Sequence, residues 1–161
     1  MLFQKFPVTL FDISRTEQVV IQDFIRAIKV DPQIKENALF FDYYEARDNE
    51  MPEMISHRFY KSTHYHWVIM LINEKFDPYN DFPKSDDILI KYATDKYGDI
   101  NAIHHYEDTQ GNIVDEFTAN KLPITNIEYL RQENEKKRTV KILKRNILDS
   151  FVDEYQTLIA V

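Results

Sequence analysis

Cysteine is absent from this chain, and glycine occurs only twice, at Gly98 and Gly111. Without a thiol there is no disulfide framework, no thiolate metal site and no cysteine nucleophile. Two isolated glycines exclude the closely spaced glycine loops that let a backbone cradle phosphate. Neither glycine flanks a serine, so the nucleophile elbow of serine hydrolases is missing too. Long apolar runs are also lacking: the longest, Trp67 to Ile72, is far too short to span a bilayer. Met1 to Phe11 carries one lysine and a broken apolar run ending at Asp12, which is not the pattern of a signal peptide. No internal repeat or low-complexity segment interrupts the chain.

What remains is the composition of a folded protein. The chain has 161 residues, enough for one ordinary domain or a small core with one elaboration. Ten tyrosines and eleven phenylalanines suit either an aromatic core or surfaces that dock onto other proteins. The net charge of −7 argues against general binding to nucleic acid or anionic membranes. Against that balance stands a basic run, Lys136, Lys137, Arg138, Lys141, Lys144 and Arg145, with no acid from 136 to 145. It reads either as a contact for an acidic partner surface or as a solvated helix end and strand face.

The chain's periodicity predicts a mixed α+β fold. In the N-terminal stretch Val19, Val20 and Ile21 look extended, and Phe24, Ile25 and Ile28 share one face of a short helix. Asp31-Pro32 marks a turn. Leu39 to Glu45 alternates as a strand. Pro52 suits the first turn of a helix, helped by Glu50 and Glu53. A second helix runs from about Tyr65 to Asn73. Ser85 stands before a helix from Asp86 to Lys96, with Ile88, Leu89 and Tyr92 inward and Gly98 at its end. Ile100 to Tyr106 and Ile113 to Phe117 form a hairpin around Gly111. Leu122-Pro123 reads as a linker. Thr125 and Glu128 have capping-box spacing for a polar helix to about Lys137. Thr139 to Leu143 is a strand, and Ile147, Leu148, Phe151, Val152, Tyr155, Leu158 and Ile159 form the stripe of a final amphipathic helix.

Candidate chemistry is thin. His64 and His66 are two apart near a helix start and point in different directions, with His57, Glu74 and Asp77 as the only further ligands nearby. His104-His105 on a strand should face opposite sides, a poor joint ligand. Both pairs read as ordinary packing or surface histidines. No carboxylate pair is marked as acid and base, and Asp86-Asp87 reads as helix-start charge. The expectation is no enzyme, no metal and no cofactor.

From Tyr44 to Pro78 the sequence resembles a LysM module. Asp48-Asn49-Glu50 stands at the turn, Ile55-Ser56 and Tyr60 on the first helix, and Asn73 and Asp77-Pro78 at the close of the second. More specifically, Pro52-Glu53, His66-Trp67-Val68 and Asp77-Pro78-Tyr79 resemble the LysM-containing baseplate wedge subunits of contractile-tailed phages, with His66 where those carry Tyr. Asn134 to Arg138, Val140 to Leu143 and Phe151 to Glu154 look like the C-terminal signature of that family, and Asp23 to Arg26 like its N-terminal segment.

The resemblance implies a structural subunit of the virion, assembled in the host cytoplasm, that clamps neighbouring baseplate proteins and promotes wedge assembly around the hub in a hetero-oligomer. It implies a LysM-like strand-helix-helix-strand core with an inserted helix and β-hairpin, plus the C-terminal amphipathic helix. A LysM unit needs a second strand, and Val140 to Leu143 is the best candidate, so Leu39 to Glu45 and Thr139 to Leu143 should pair antiparallel. The expected division is an arm at 1–37 and a domain at 38–161, with core 38–79 and 138–161 and insertion 80–137. Expected protein contacts are Phe3, Phe6, Phe11 and Phe24 in the arm, Tyr79 and Phe82 after the second helix, and the basic run. Trp67, Ile55 and Phe59 are assigned to the core. The alternative is a LysM carbohydrate-binding module for N-acetylglucosamine-containing glycan such as peptidoglycan. Against it, the turn lacks glycine and carries Glu50 and Met51. A hydrolase is a third, weaker option.

Overall fold

The computed structural model describes residues 7–14, 17–23 and 30–160. Among these residues the chain is mixed α+β, with six helices and seven short strands in three small sheets. It divides into two compact units. The first comprises Met1–Tyr43, Pro52–Phe76 and Lys141–Val161, and the second Tyr44–Met51 and Asp77–Val140.

The first unit opens with a hairpin of β1 (Val8–Ser14) and β2 (Glu17–Gln22), antiparallel, with Leu10 opposite Val20 and Phe11 opposite Val19. The extended reading of Val19 to Ile21 holds, while β1 was not anticipated. The helix expected over Phe24, Ile25 and Ile28 lies outside the described residues, as do Phe3 and Phe6. At Asp31-Pro32 the turn becomes a one-turn helix, α1 (Pro32–Glu36), because the Asp31 carboxylate accepts the Gln33 N–H at 2.8 Å. A short 3-10 turn at Ala38–Phe40 precedes β3 (Phe41–Glu45), so the strand begins two residues later than its sequence pattern suggests.

Helix α2 (Pro52–Tyr60) starts on Pro52, whose missing N–H costs nothing there, and stops where Lys61 takes φ 59°. Ser62 reopens the chain towards α3 (His66–Ile72), its hydroxyl accepting the His64 N–H at 3.2 Å. After β7 (Thr139–Leu143) comes α6 (Arg145–Ile159). Ile55, Val68, Ile69, Ile72, Ile142, Leu143, Leu148 and Ile159 form the core of this unit. Trp67 packs its indole on Tyr155, ring centroids 5.1 Å apart. One expectation needs correction: Phe59, assigned to the core, keeps 36 % of its surface exposed.

β3 and β7 form a two-stranded sheet. The Lys144 N–H donates to Phe40 O at 2.9 Å, and the Ala46 N–H to Arg138 O at 2.8 Å. These two bonds, at opposite ends of the pair, make it antiparallel, as the sequence suggested.

The second unit holds α4 (Asp86–Tyr97), α5 (Asn126–Glu135) and a sheet of β4 (Ile103–Glu107), β5 (Ile113–Val114) and β6 (Leu122–Thr125) in the order β5-β4-β6. The capping box at Thr125 and Glu128 is formed on both sides. Leu122-Pro123 is a strand, not a linker. Proline is tolerated there because β6 is an edge strand. Ile88 and Tyr92 are exposed, and Ala93 is the buried residue of α4. Ser85 makes no cap bond; its hydroxyl accepts instead from Asn49 Nδ2 at 2.9 Å.

Candidate protein-interaction site

The β1–β2 hairpin is built of alternating residues that are apolar on both sides. Paired residues share a face, so Val8, Leu10 and Val20 line one side, while Phe11, Val19 and Ile21 line the other. A sheet with one face on a core alternates apolar with polar, and this one does not. Val8, Leu10, Phe11, Ile13 and Val20 are each more than half exposed. Among the described residues each strand has the other as its main neighbour. The open end is tied by the Asp23 N–H on Pro7 O at 2.8 Å, and Gln18 Nε2 reaches Asp12 Oδ1 at 2.7 Å near the turn. A lone two-stranded hairpin is marginal in water, and contiguous exposed apolar surface marks a docking site. Phe11 was anticipated as a contact. Val8, Leu10, Ile13 and Val20, as exposed as Phe11, were not among the expected contacts, though the run from Val8 to Ile13 was a signal for them.

The basic run makes hydrogen bonds within its own chain, although Lys136 and Arg145 stay exposed. In the second unit, Arg138 donates to Glu135 Oε1 at 2.8 Å, Asp48 Oδ1 at 2.8 Å and Ala46 O at 2.9 Å. These carboxylates hold the guanidinium above its ordinary pKa. Lys137 Nζ donates to Asn80 O at 2.8 Å, and Lys136 pairs with Glu133 at 2.6 Å. In the first unit, Lys141 Nζ donates to Lys35 O at 3.0 Å and Lys144 Nζ to Leu39 O at 2.9 Å. Arg145 donates to Tyr60 O at 2.9 Å, its guanidinium 5.8 Å from the Tyr65 ring centre. Each of the six cations thus has an internal partner, five of them a backbone carbonyl.

Tyr79 is exposed at the rim of an Asx turn, where Asp77 Oδ1 accepts the Tyr79 N–H at 2.8 Å. The Asn80 amide, above all, holds Asp77 below the usual carboxylate range. Phe82 is a correction: at 1 % exposure it is core of the second unit, as its neighbour Pro83 is. At the turn that resembles LysM, Glu50 is buried and its Oε2 accepts from the Tyr44 hydroxyl at 2.8 Å and the Arg47 N–H at 3.0 Å. That carboxylate is spent on the turn itself.

The histidines separate. His66 Nδ1 lies 2.9 Å from Thr63 O, a local contact. His104 and His105, expected on opposite faces, instead lie together, because a register shift between Ile103 and His105 makes a bulge in β4. Among the described residues no three His, Asp or Glu side chains gather so as to hold a metal ion, and no helix is long and apolar enough to cross a membrane.

The family model described as base plate wedge protein 53 matches residues 16–122. The match runs from β2 through helices α1 to α4 and the β4–β5 hairpin, and ends before the basic run. A comparison with curated proteins gives no match.

Proposed function

Since this chain belongs to the base plate wedge protein 53 family, structural and non-enzymatic components of the phage tail baseplate that assemble with other baseplate proteins, we infer that it clamps neighbouring wedge subunits through its β1–β2 hairpin and so promotes the joining of wedges around the hub. The observation that carries this reading is the hairpin's apolar surface on two faces, with no packed core behind either among the described residues. Such a ribbon reaches its full stability only when another chain covers it. Phe11 and Tyr79 are the exposed aromatic anchors of the contact set. The basic run serves it indirectly, by holding the turn and strand ends from which such contacts are presented.

We further infer a LysM-like core with an insertion. Supporting it are the order strand, helix, helix, strand through β3, α2, α3 and β7, and the placement of α4, the three-stranded sheet and α5 between α3 and β7.

The test is co-expression with the other wedge proteins of the same phage. The native chain should elute in a stable complex, and the double variant Leu10→Asp, Val20→Asp should elute alone. Unchanged co-elution of the variant would remove the hairpin from the interface. A native chain that ignores every wedge protein but binds purified peptidoglycan saturably would replace the clamp with glycan binding.

A further inference from the structure

The β4 bulge places His104 Nδ1 2.8 Å from His105 Nδ1. Such a contact is a hydrogen bond only if one nitrogen carries a proton and the other offers a lone pair. His105 Nε2 lies 3.0 Å from Glu107 Oε1, an acceptor, so that nitrogen is the protonated one. In the neutral ring His105 Nδ1 is then the acceptor, and His104 Nδ1 donates to it. With one added proton the bond survives in either direction, since a charged His105 beside Glu107 can donate its Nδ1–H to the His104 Nδ1 lone pair. A second proton must take the last Nδ1 lone pair, the one on the disfavoured His104 ring, and two cations then face each other N–H to N–H.

The neighbours sharpen the effect. His104 stacks on Tyr129 of α5 at 4.0 Å and 10°, and meets Tyr97 of α4 edge-on at 5.9 Å. His105 meets the same Tyr129 edge-on at 5.8 Å. Lys96 of α4 is the cation facing His104, itself 4.7 Å from the Tyr97 ring centre and 5.7 Å from that of Tyr92. Lys136, beyond α5, acts on Tyr129 and Glu107 and is paired with Glu133. Glu107 is the carboxylate on the strand itself, and β5 and β6 carry no ionisable side chain. Desolvation first, then His105 and Lys96, hold the His104 imidazole below its ordinary range.

We propose that the His104–His105 pair is a proton-sensitive latch, holding the β4 bulge against Tyr129 of α5 while at most one ring is charged and releasing it when the second proton arrives. A depressed histidine means that the folded unit takes up fewer protons than the open one. The latch is therefore fully made above the ordinary imidazole value of about 6.5, and weakens as the pH falls below it through the depressed folded value. None of this depends on which proteins the hairpin meets.

Histidine side-chain NMR and amide hydrogen exchange on the full chain, between about pH 8 and about pH 5, test it. At the upper end His104 should be the Nδ1–H tautomer and His105 the Nε2–H tautomer. Amide protection from Ile103 to Glu107 should fall on acidification by about tenfold more than in β7. His104→Phe, which keeps a ring on Tyr129, should abolish that excess loss. Two Nε2–H rings at the upper end, or the same excess loss in His104→Phe, would overturn the latch.

Discussion

Asn73 and Asn134 each offer a side-chain amide to a distant backbone residue as a neighbouring strand would. Asn73 Oδ1 accepts the Lys141 N–H and its Nδ2 donates to Lys141 O, both at 2.8 Å. In the other unit Asn134 does the same for Lys84, at 2.8 Å and 3.0 Å. Asn73→Ala strips both partners from Lys141 and should lower the stability of the first unit by about 2–4 kcal/mol in urea unfolding. Tyr60 is a second such point. Its hydroxyl donates to Leu143 O at 3.0 Å in the core, and burial, the leading cause, pushes its pKa well above the ordinary phenol value. The phenol therefore stays a neutral donor, and Tyr60→Phe should cost about 1–2 kcal/mol in the same assay. Asn73 was readable as a helix end and Tyr60 as a helix-face aromatic. Their partners lie 68 and 83 residues away, beyond any local pattern.

The elements that were legible carry their own boundary chemistry. Thr125 and Glu128 make the capping box that their spacing announces, and Pro52, Gly98 and the alternation of Val140, Lys141 and Ile142 mark ends and faces correctly. The failures share one cause: a periodic pattern shows which face is apolar, not whether anything covers it. On α4 the apolar face is largely open, with Ile88 and Tyr92 exposed and Ala93 buried. On β1 apolar side chains leave both faces, so the strand lacks the simple alternation that identifies strands. His104 and His105 were misassigned because a bulge resets the period of two. Because the hairpin leans on little else among the described residues, Leu10→Asp with Val20→Asp should lower the stability of the rest of the chain in urea unfolding by no more than about 0.5 kcal/mol. The same substitutions should still abolish capture by wedge partners. A large loss of stability would instead mean that the ribbon is internal packing.

For the molecule as a whole the charge pattern has two consequences. The cations from Lys136 to Arg145, which read as a basic surface, each have a hydrogen-bond partner within the chain, and Lys136 and Arg138 are paired with carboxylates. Acid response is set elsewhere. Asp77, Asp86, Asp108 and Glu128 are held below their usual values by hydrogen bonds from Asn80, Arg131, Asn112 and Thr125 respectively. Groups depressed in this way stabilise the fold above the unfolded carboxylate value of about 4, and that contribution is lost as the pH falls through their folded values. His104 adds a loss that begins near pH 6.5, by the same sign rule. Urea midpoints measured against pH should therefore be level above about pH 7, decline gently below it and fall more steeply under about pH 4. A single steep transition near neutrality would contradict that assignment.

The amino-acid sequence by itself determined where helices start and stop, that no thiol, phosphate-loop or serine-elbow chemistry is present, and which family signature runs through the middle of the chain. Those properties are local: a cap, a spacing or a missing residue type acts within a few positions. Only the tertiary structure decided that the basic run finds partners within the chain, that Phe82 is core, that two histidines meet on a bulge and that an apolar ribbon stands uncovered among the described residues. Each depends on which surfaces are brought together across tens of residues, and that is a property of the packed chain.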